Sequence, residues 1–323
     1  MQHKTGTRLR ALFSTIAIAC SPLILFSTLG STSPTSSASL SPTSLPTPPE
    51  TPPPETTLQR IARTGVMNAG TRTDSSPFAF QVAEGRFQGF AVDLLGLIHD
   101  RVEQVLGRNV QLNWVPVTVN ERFLQVQRGQ VDLECAVSSI TPGRSAQIDF
   151  SLSYFTTGTQ VLVARNFTVK QNEFRIGVIP NTSNALTVET RLRNVRLFFF
   201  GDRSSGFAAL ENRNIDGFAS DGILLYGLLR VRNAVQRYEI TPNPTMDVSR
   251  YGCILPNNDP EFRQLVNQTI EDLLQGILDG KSPYLQIFDT WFGPDGFTPI
   301  PREPIFREFR RTLQENGRTE GVP

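Results

Sequence analysis

Histidine is nearly absent from this 323-residue chain, which carries only His3 and His99. A metal centre built on several imidazoles, or a triad with an imidazole poised beside a nucleophile, therefore has no adequate supply. No metal and no cofactor is expected. Lysine is almost as scarce, with Lys4, Lys170 and Lys281 alone, so nearly all the basic charge is arginine. Arginine presents a planar fork that matches a carboxylate better than an ammonium does. The formal net charge of +1 argues against a nucleic-acid or anionic-membrane surface role. Cysteine is limited to Cys20, Cys135 and Cys253. The first falls where export would remove or modify it, and the other two are candidates for one disulfide, the alternative being two buried free thiols. In an oxidising compartment such a bridge would stabilise by about 2–4 kcal/mol.

What remains is ordinary for a globular protein: 39% hydrophobic and 19% charged residues, in a chain long enough for two lobes with separate cores. Lys4, Arg8 and Arg10 precede an apolar run from Ala11 to Leu29, the pattern of an export signal. Residues 1–30 are therefore read as an export signal or N-terminal anchor. AIAC at Ala17 to Cys20 loosely resembles a lipoprotein site, a cut after Ala38 is an alternative, and an uncleaved anchor is a third; the reading leans to cleavage and a soluble or loosely anchored product. Residues 31–57 are Ser, Thr and Pro and cannot build a core, so they read as a spacer. Extended as polyproline II, it would span roughly 80 Å.

From Leu58 helices and strands alternate, which predicts an α/β protein with largely parallel sheets. LQRIARTG is a short amphipathic helix, MNAGT a strand and PFAFQVAEGRFQGF a hairpin. VDLLGLIHDRVEQVLG is a helix with Leu94, Ile98, Val102 and Val105 on one face and Gly107 at its stop. VQLNWVPV is a strand, Asn120 to Arg128 a helix, and Val131 to Val137 a buried strand. Ser138 and Ser139 then lead into a short helix opened by Thr141 and Pro142 and carrying Arg144. Free backbone N–H groups beside a fixed cation suit an anionic small ligand. After GTQVLVARN a second α/β unit begins with FRIGVIP. Its helix NTSNALTVETRL is capped by Asn181 or Thr182, SSGFAALENRN is another helix, and the strand IDGFASD ends on Asp221. SRYGCILP returns as a strand, followed by a helix with Asp259 as cap and Pro260 in its first turn. If Cys135 and Cys253 pair, the chain re-enters the first lobe after building the second. Lobe 1 is then 58–164 plus 250–323 and lobe 2 is 165–249.

The segments GTRTDSSPFAF, GRFQGFAVDLL, RFLQVQRGQVDLECAVSSITPGR, IDFSLSYF, IPNTSNA, IDGFASDGILL and YGCILPNNDPEF occur in one collinear order. That order resembles the family 3 extracellular solute-binding proteins of amino-acid ABC transporters, from roughly Leu58 to Phe292. VDLEC, YGC and the arginine of GTRTD are similar to its glutamate/aspartate-binding branch. The resemblance implies a two-lobed type II periplasmic binding protein, a Venus-flytrap with two interlobe crossings. It would close around one amino acid and present it to a membrane permease.

Site residues follow from the same resemblance. Arg144 matches the arginine that grips the ligand α-carboxylate, a contact worth about 1.5–3 kcal/mol. Ser139 matches a hydroxyl position, while Val137 stands where the branch usually has serine. Thr182 matches a threonine at a helix N-terminus that also holds the carboxylate, and an ordinary N-cap is its plain alternative. Asp221 matches the aspartate that binds the α-ammonium, with capping of the next helix as alternative. Arg72, Arg122 and Arg203 stand where an acidic ligand side chain would be read; the branch has histidine at the last of these, and arginine makes that charge permanent. Phe78 is placed either over the ligand's aliphatic part or in the core.

The expectation is an exported, monomeric, non-enzymatic receptor for a polar or acidic amino acid, in the periplasm or otherwise outside the cytoplasm and serving an ABC permease. One rival is a dehydratase of the cyclohexadienyl type on the same fold, which needs a poised acid or base in the cleft. The other is a membrane-tethered sensor, for which no spanning run follows the binding unit and only the N-terminus offers a tether. The tail Arg302 to Arg318 is amphipathic and basic and is given no role beyond packing on the first lobe.

Overall fold

The computed structural model describes residues 55–167 and 173–319. The expected export segment 1–30, and the spacer up to residue 54, lie outside the described residues. No helix among the described residues is long and apolar enough to cross a membrane. The first helix starts earlier than expected: Thr56 caps the helix Thr57–Thr64, and its side chain and that of Gln59 satisfy each other's backbone N–H groups.

Two lobes form, each around a five-stranded sheet with helices packed on it. In the first, Gln111–Pro116, Val66–Thr71 and Leu133–Glu134 lie side by side and parallel, followed by Ile254–Leu255 and Asp149–Phe150. In the second, Val195–Phe199, Phe174–Val178 and Gly217–Asp221 are parallel, followed by Thr159–Ala164 and Tyr238–Thr241. The sheets are thus mixed, where the alternation of elements predicts largely parallel ones. The reason is the crossing between lobes. Thr159–Ala164 and Ile254–Leu255 run antiparallel to their neighbours, and Thr159 pairs with Asp221 at that strand's C-terminal end. A chain arriving from the other lobe enters at that end instead of returning over a helix.

The two crossings are themselves paired strands, Phe155–Thr157 and Ser249–Tyr251, with Tyr251 opposite Phe155. Thr159–Ala164 already belongs to the second sheet, so the first crossing precedes Thr159 instead of following Ala164. Cys135 and Cys253 form a disulfide with Cα atoms 4.3 Å apart. It joins the end of Leu133–Glu134 to the chain just before Ile254–Leu255, and so fastens the returning chain to the first sheet.

The largest core collects the expected helix face, with Leu94, Ile98 and Val102 buried. Val105 departs from it and is exposed, because the helix has by then reached its last turn before Gly107, where Leu106 takes the inward position. Phe78 is fully buried in this core; its ring centroid lies 4.8 Å from that of Phe155, 5.3 Å from Tyr251 and 5.5 Å from Phe292. A helix that the sequence reading did not single out, Tyr284–Phe292, supplies Phe288, Trp291 and Phe292 to the same core. The tail forms the helix Arg302–Thr319 and seats Phe309 against Phe288, the packing expected of it. Between the lobes the helix Gly222–Val231 comes so near the turn at Ser76 that a Cβ on Gly227 would stand 2.3 Å from the Ser76 carbonyl oxygen.

Since the bridge closes a span of 118 residues, its removal acts mainly by freeing the unfolded chain. Replacing Cys135 and Cys253 together by serine is expected to lower the unfolding free energy by about 2–4 kcal/mol in a denaturant titration. An unchanged midpoint would show the bridge to be energetically idle.

Candidate functional site

The C-terminal strand ends of both sheets face one cleft, and there they form a narrow pocket partly open to solvent. Arg72, Arg122, Ser139 and Arg144 line it from the first lobe. Thr182, Arg203 and Asp221 line it from the second, together with Ser183 and Asn184. Seven of the eight ligand-contact candidates therefore share one cavity. Phe78 does not reach it, so the structure places this ring in the core alternative.

Each side chain is positioned by its local structure. Arg72 follows the strand Val66–Thr71 and is buried, donating from Nη1 to the Val117 carbonyl at 2.7 Å and from Nη2 to Asp74 Oδ1 at 2.7 Å. Arg122 opens the helix Arg122–Gln127 and is 3% exposed, and its Nε has no hydrogen-bond partner. Burial pushes its pKa down to about 10, the charge of Glu134 opposes that shift, and Arg144, Arg72 and Arg203 add to it. Arg144 sits on the single helical turn Pro142–Ser145, whose cap Thr141 accepts from the Arg144 N–H. Its Nη1 donates to the Ser139 carbonyl at 2.9 Å, and its Nη2 reaches across the cleft to the Asn181 carbonyl at 3.1 Å. Phe123 lies under both Arg122 and Arg144, with guanidinium carbons 5.1 and 5.2 Å from its ring centroid. An aromatic face attracts these cations without neutralising them.

On the opposite lobe Thr182 caps the helix Ser183–Arg191, accepting from the Ala185 N–H at 3.2 Å and donating to the Ile179 carbonyl at 2.7 Å. The hydroxyl is committed to capping, so what this helix offers the cavity is the backbone N–H of Ser183 and Asn184, which have no partner within the helix. Ser183 Oγ also meets Ser139 Oγ across the cleft at 3.2 Å. Asp221 ends the strand Gly217–Asp221 and makes no side-chain bond to the helix that follows, so the capping alternative fails. Its Oδ1 accepts from Asn184 Nδ2 at 3.2 Å. Burial raises its pKa; the neighbouring Tyr251 hydroxyl, Asn184 and Arg203 pull the other way. Tyr251 and Asp221 stand close enough to affect each other's charge, although no well-aligned hydrogen bond joins them.

Arg203 is the first residue of the helix Arg203–Glu211, capped by Asp202. It donates from Nη1 to Ser75 Oγ at 3.1 Å and lies 3.4 Å from Asp74 Oδ2. Asp74 and Glu134 are residues the sequence reading missed. Glu134 is fully buried beside Arg122; Oε2 accepts from Ser138 Oγ at 2.7 Å and Oε1 has no partner. Burial raises its pKa against the pull of Arg122 and of the Ser138 hydroxyl. Both had a signal. Asp74 is two residues from Arg72 in an extended stretch, which puts the two on one side, and a glutamate inside a strand expected to be buried demands a cation.

Residues 67–294 match the model of the bacterial extracellular solute-binding proteins, family 3, and the chain belongs to that family. It is 28% identical over 262 residues to a glutamate/aspartate import solute-binding protein of Salmonella typhimurium, covering 78% of this chain and 83% of that one. A cyclohexadienyl dehydratase of Pseudomonas aeruginosa is 25% identical over 223 residues, covering 66% of this chain and 80% of that one. The crystal structure of a cysteine-binding protein from Campylobacter jejuni superposes with a TM-score of 0.65 at 18% identity, covering 77% of this chain and 98% of that one. That likeness shows the type II two-lobed fold.

The buried Asp221 carboxyl carries a cost that depends on pH. With its pKa raised in the folded protein, the folded state holds the proton where the unfolded chain has released it, so stability falls as pH rises through that window. Asp221→Asn removes this fall. Thermal unfolding of the ligand-free proteins should show the variant's advantage growing as pH climbs from the ordinary carboxylate range and then levelling off; parallel profiles would contradict it.

Proposed function

We propose that this protein is the substrate-binding component of an amino-acid ABC importer, taking an amino acid with an acidic side chain between its lobes for delivery to a membrane permease. The observation that carries the reading is the charge of the cleft. Arg72, Arg122, Arg144 and Arg203 line the cavity, against Asp221 in it and Asp74 and Glu134 at its back. With every one of these groups ionised, four cations face three carboxylates, leaving one positive charge in excess. A zwitterion with one further carboxylate brings the single negative charge that balances it, and burial of an unbalanced charge is costly. The Salmonella typhimurium relative, named for glutamate/aspartate import, supports the same class.

In this reading Arg144, with the Ser183 and Asn184 N–H groups and Ser139, takes the α-carboxylate. Asp221 takes the α-ammonium, and Arg72, Arg122 and Arg203 face the side-chain carboxylate. A ligand so held touches both lobes and therefore favours the closed state by its differential contacts. The protein works as an exported, monomeric receptor outside the cytoplasm. Dehydratase chemistry, suggested by the Pseudomonas aeruginosa relative, requires an acid within hydrogen-bond reach of the substrate. Glu134 is buried behind Arg122 and Ser138 and is not a cavity-lining side chain, which leaves Asp221 alone and tied to Asn184.

Calorimetry against a panel of amino acids is expected to show saturable binding strongest for those with acidic side chains, and no turnover of prephenate or arogenate. Absence of binding to every panel member would sink the reading. Arg144→Lys should weaken binding by roughly tenfold or more, because a point charge replaces a fork. An unchanged dissociation constant would remove Arg144 from the site.

A further inference from the structure

Asp74 touches two of the arginines that the proposed site uses, yet it does not itself line the cavity. Its Oδ1 accepts from Arg72 Nη2 at 2.7 Å, and its Oδ2 lies 3.4 Å from Arg203 Nη1. Arg72 and Asp74 come from the first lobe and Arg203 from the second, so the contact with Arg203 is an ion pair across the cleft. The pair is sheltered: the side chains of Arg203 and Asp74 keep 6% and 14% of their exposure. Beside it Ser75 Oγ accepts from the same Nη1 at 3.1 Å, so the segment Asp74–Ser75 grips the second-lobe arginine twice.

We propose that Asp74 sets how much negative charge a ligand must bring, by joining the side-chain-reading arginines of the two lobes into one unit and cancelling one of their charges. The inference rests on the acidic-ligand reading given above. Asp74 acts through Arg72 and Arg203 and is a positioning residue. Burial alone would raise its pKa, but Arg203 and Arg72 outweigh burial and hold the carboxyl ionised. Without it the cleft's excess would grow from one positive charge to two. A neutral side chain would then be penalised more heavily, and a doubly charged one would be better matched. The tie across the cleft would also be lost, so that closure would depend on the ligand more than it does now.

The test compares the wild type with Asp74→Asn, which keeps the shape, and Asp74→Ser, which removes it, using glutamate, glutamine and O-phosphoserine in calorimetry. In both variants the ratio of glutamine to glutamate dissociation constants should rise by roughly tenfold or more, the order expected for one added charge a few ångströms away. O-phosphoserine should gain affinity relative to glutamate. Small-angle scattering should give the ligand-free variants a larger radius of gyration than the ligand-free wild type, with glutamate restoring the smaller value. An unchanged ratio in both variants overturns the inference and leaves the acidic-ligand reading standing; a wild type that binds no acidic amino acid overturns both.

Discussion

Four guanidinium groups converge on one cleft, those of Arg72, Arg122 and Arg203 almost wholly buried, and the rest of the site is arranged around what that costs. An arginine cannot shed its charge as a buried carboxyl can, so each must be met by carbonyls, carboxylates or an aromatic face. Arg144 finds two backbone carbonyls, Arg72 a carbonyl and Asp74, and Arg203 two hydroxyls and Asp74. Arg122 has least, the ring of Phe123 and the nearby charge of Glu134, and it is the arginine whose pKa burial depresses to about 10. Removing either member of such a set leaves a buried charge without its counterpart, which costs more than the pair itself contributes.

That constraint explains why the chain crosses between lobes twice. A cavity whose cations come from both sides can be filled and emptied only if the sides separate, and two paired crossing strands allow rotation while limiting slippage. The disulfide secures the point where the second crossing rejoins the first sheet, next to Glu134, the site's most deeply buried acid. The crossing strands also carry Tyr251, whose hydroxyl stands beside Asp221, so the hinge itself contributes to the electrostatics of the cleft.

Much of this was legible in the sequence because it rests on local pattern. Helix faces, caps such as Thr182 and Asp259, and the order of the segments depend on residues near one another in the chain. The composition of the cleft was legible by another route, the resemblance to a family, and seven of the eight ligand-contact candidates line it. What was not legible depends on partners far apart. The strand directions follow from the entry point of a crossing chain, which periodicity does not encode. Phe78 is a core residue because Phe155, Tyr251 and Phe292, from three later segments, surround it. Asp74 acquires its second arginine only when residues 129 apart meet across the cleft.

The same contacts limit how strongly closure can be driven by a ligand. Ser139 meets Ser183, Arg144 meets the Asn181 carbonyl, and Arg203 meets Asp74, all across the cleft. A bound molecule gains only the difference between its own contacts and those it replaces. Arg144 keeps donor capacity beyond its two carbonyls, since a guanidinium has five N–H groups. Arg122 has a buried Nε without a partner. The unspent capacity therefore lies with these two first-lobe arginines. The second lobe offers helix N–H groups and the half-satisfied Asp221. Groups left waiting add to selectivity in such a cleft, because they favour a ligand that completes them over one that does not.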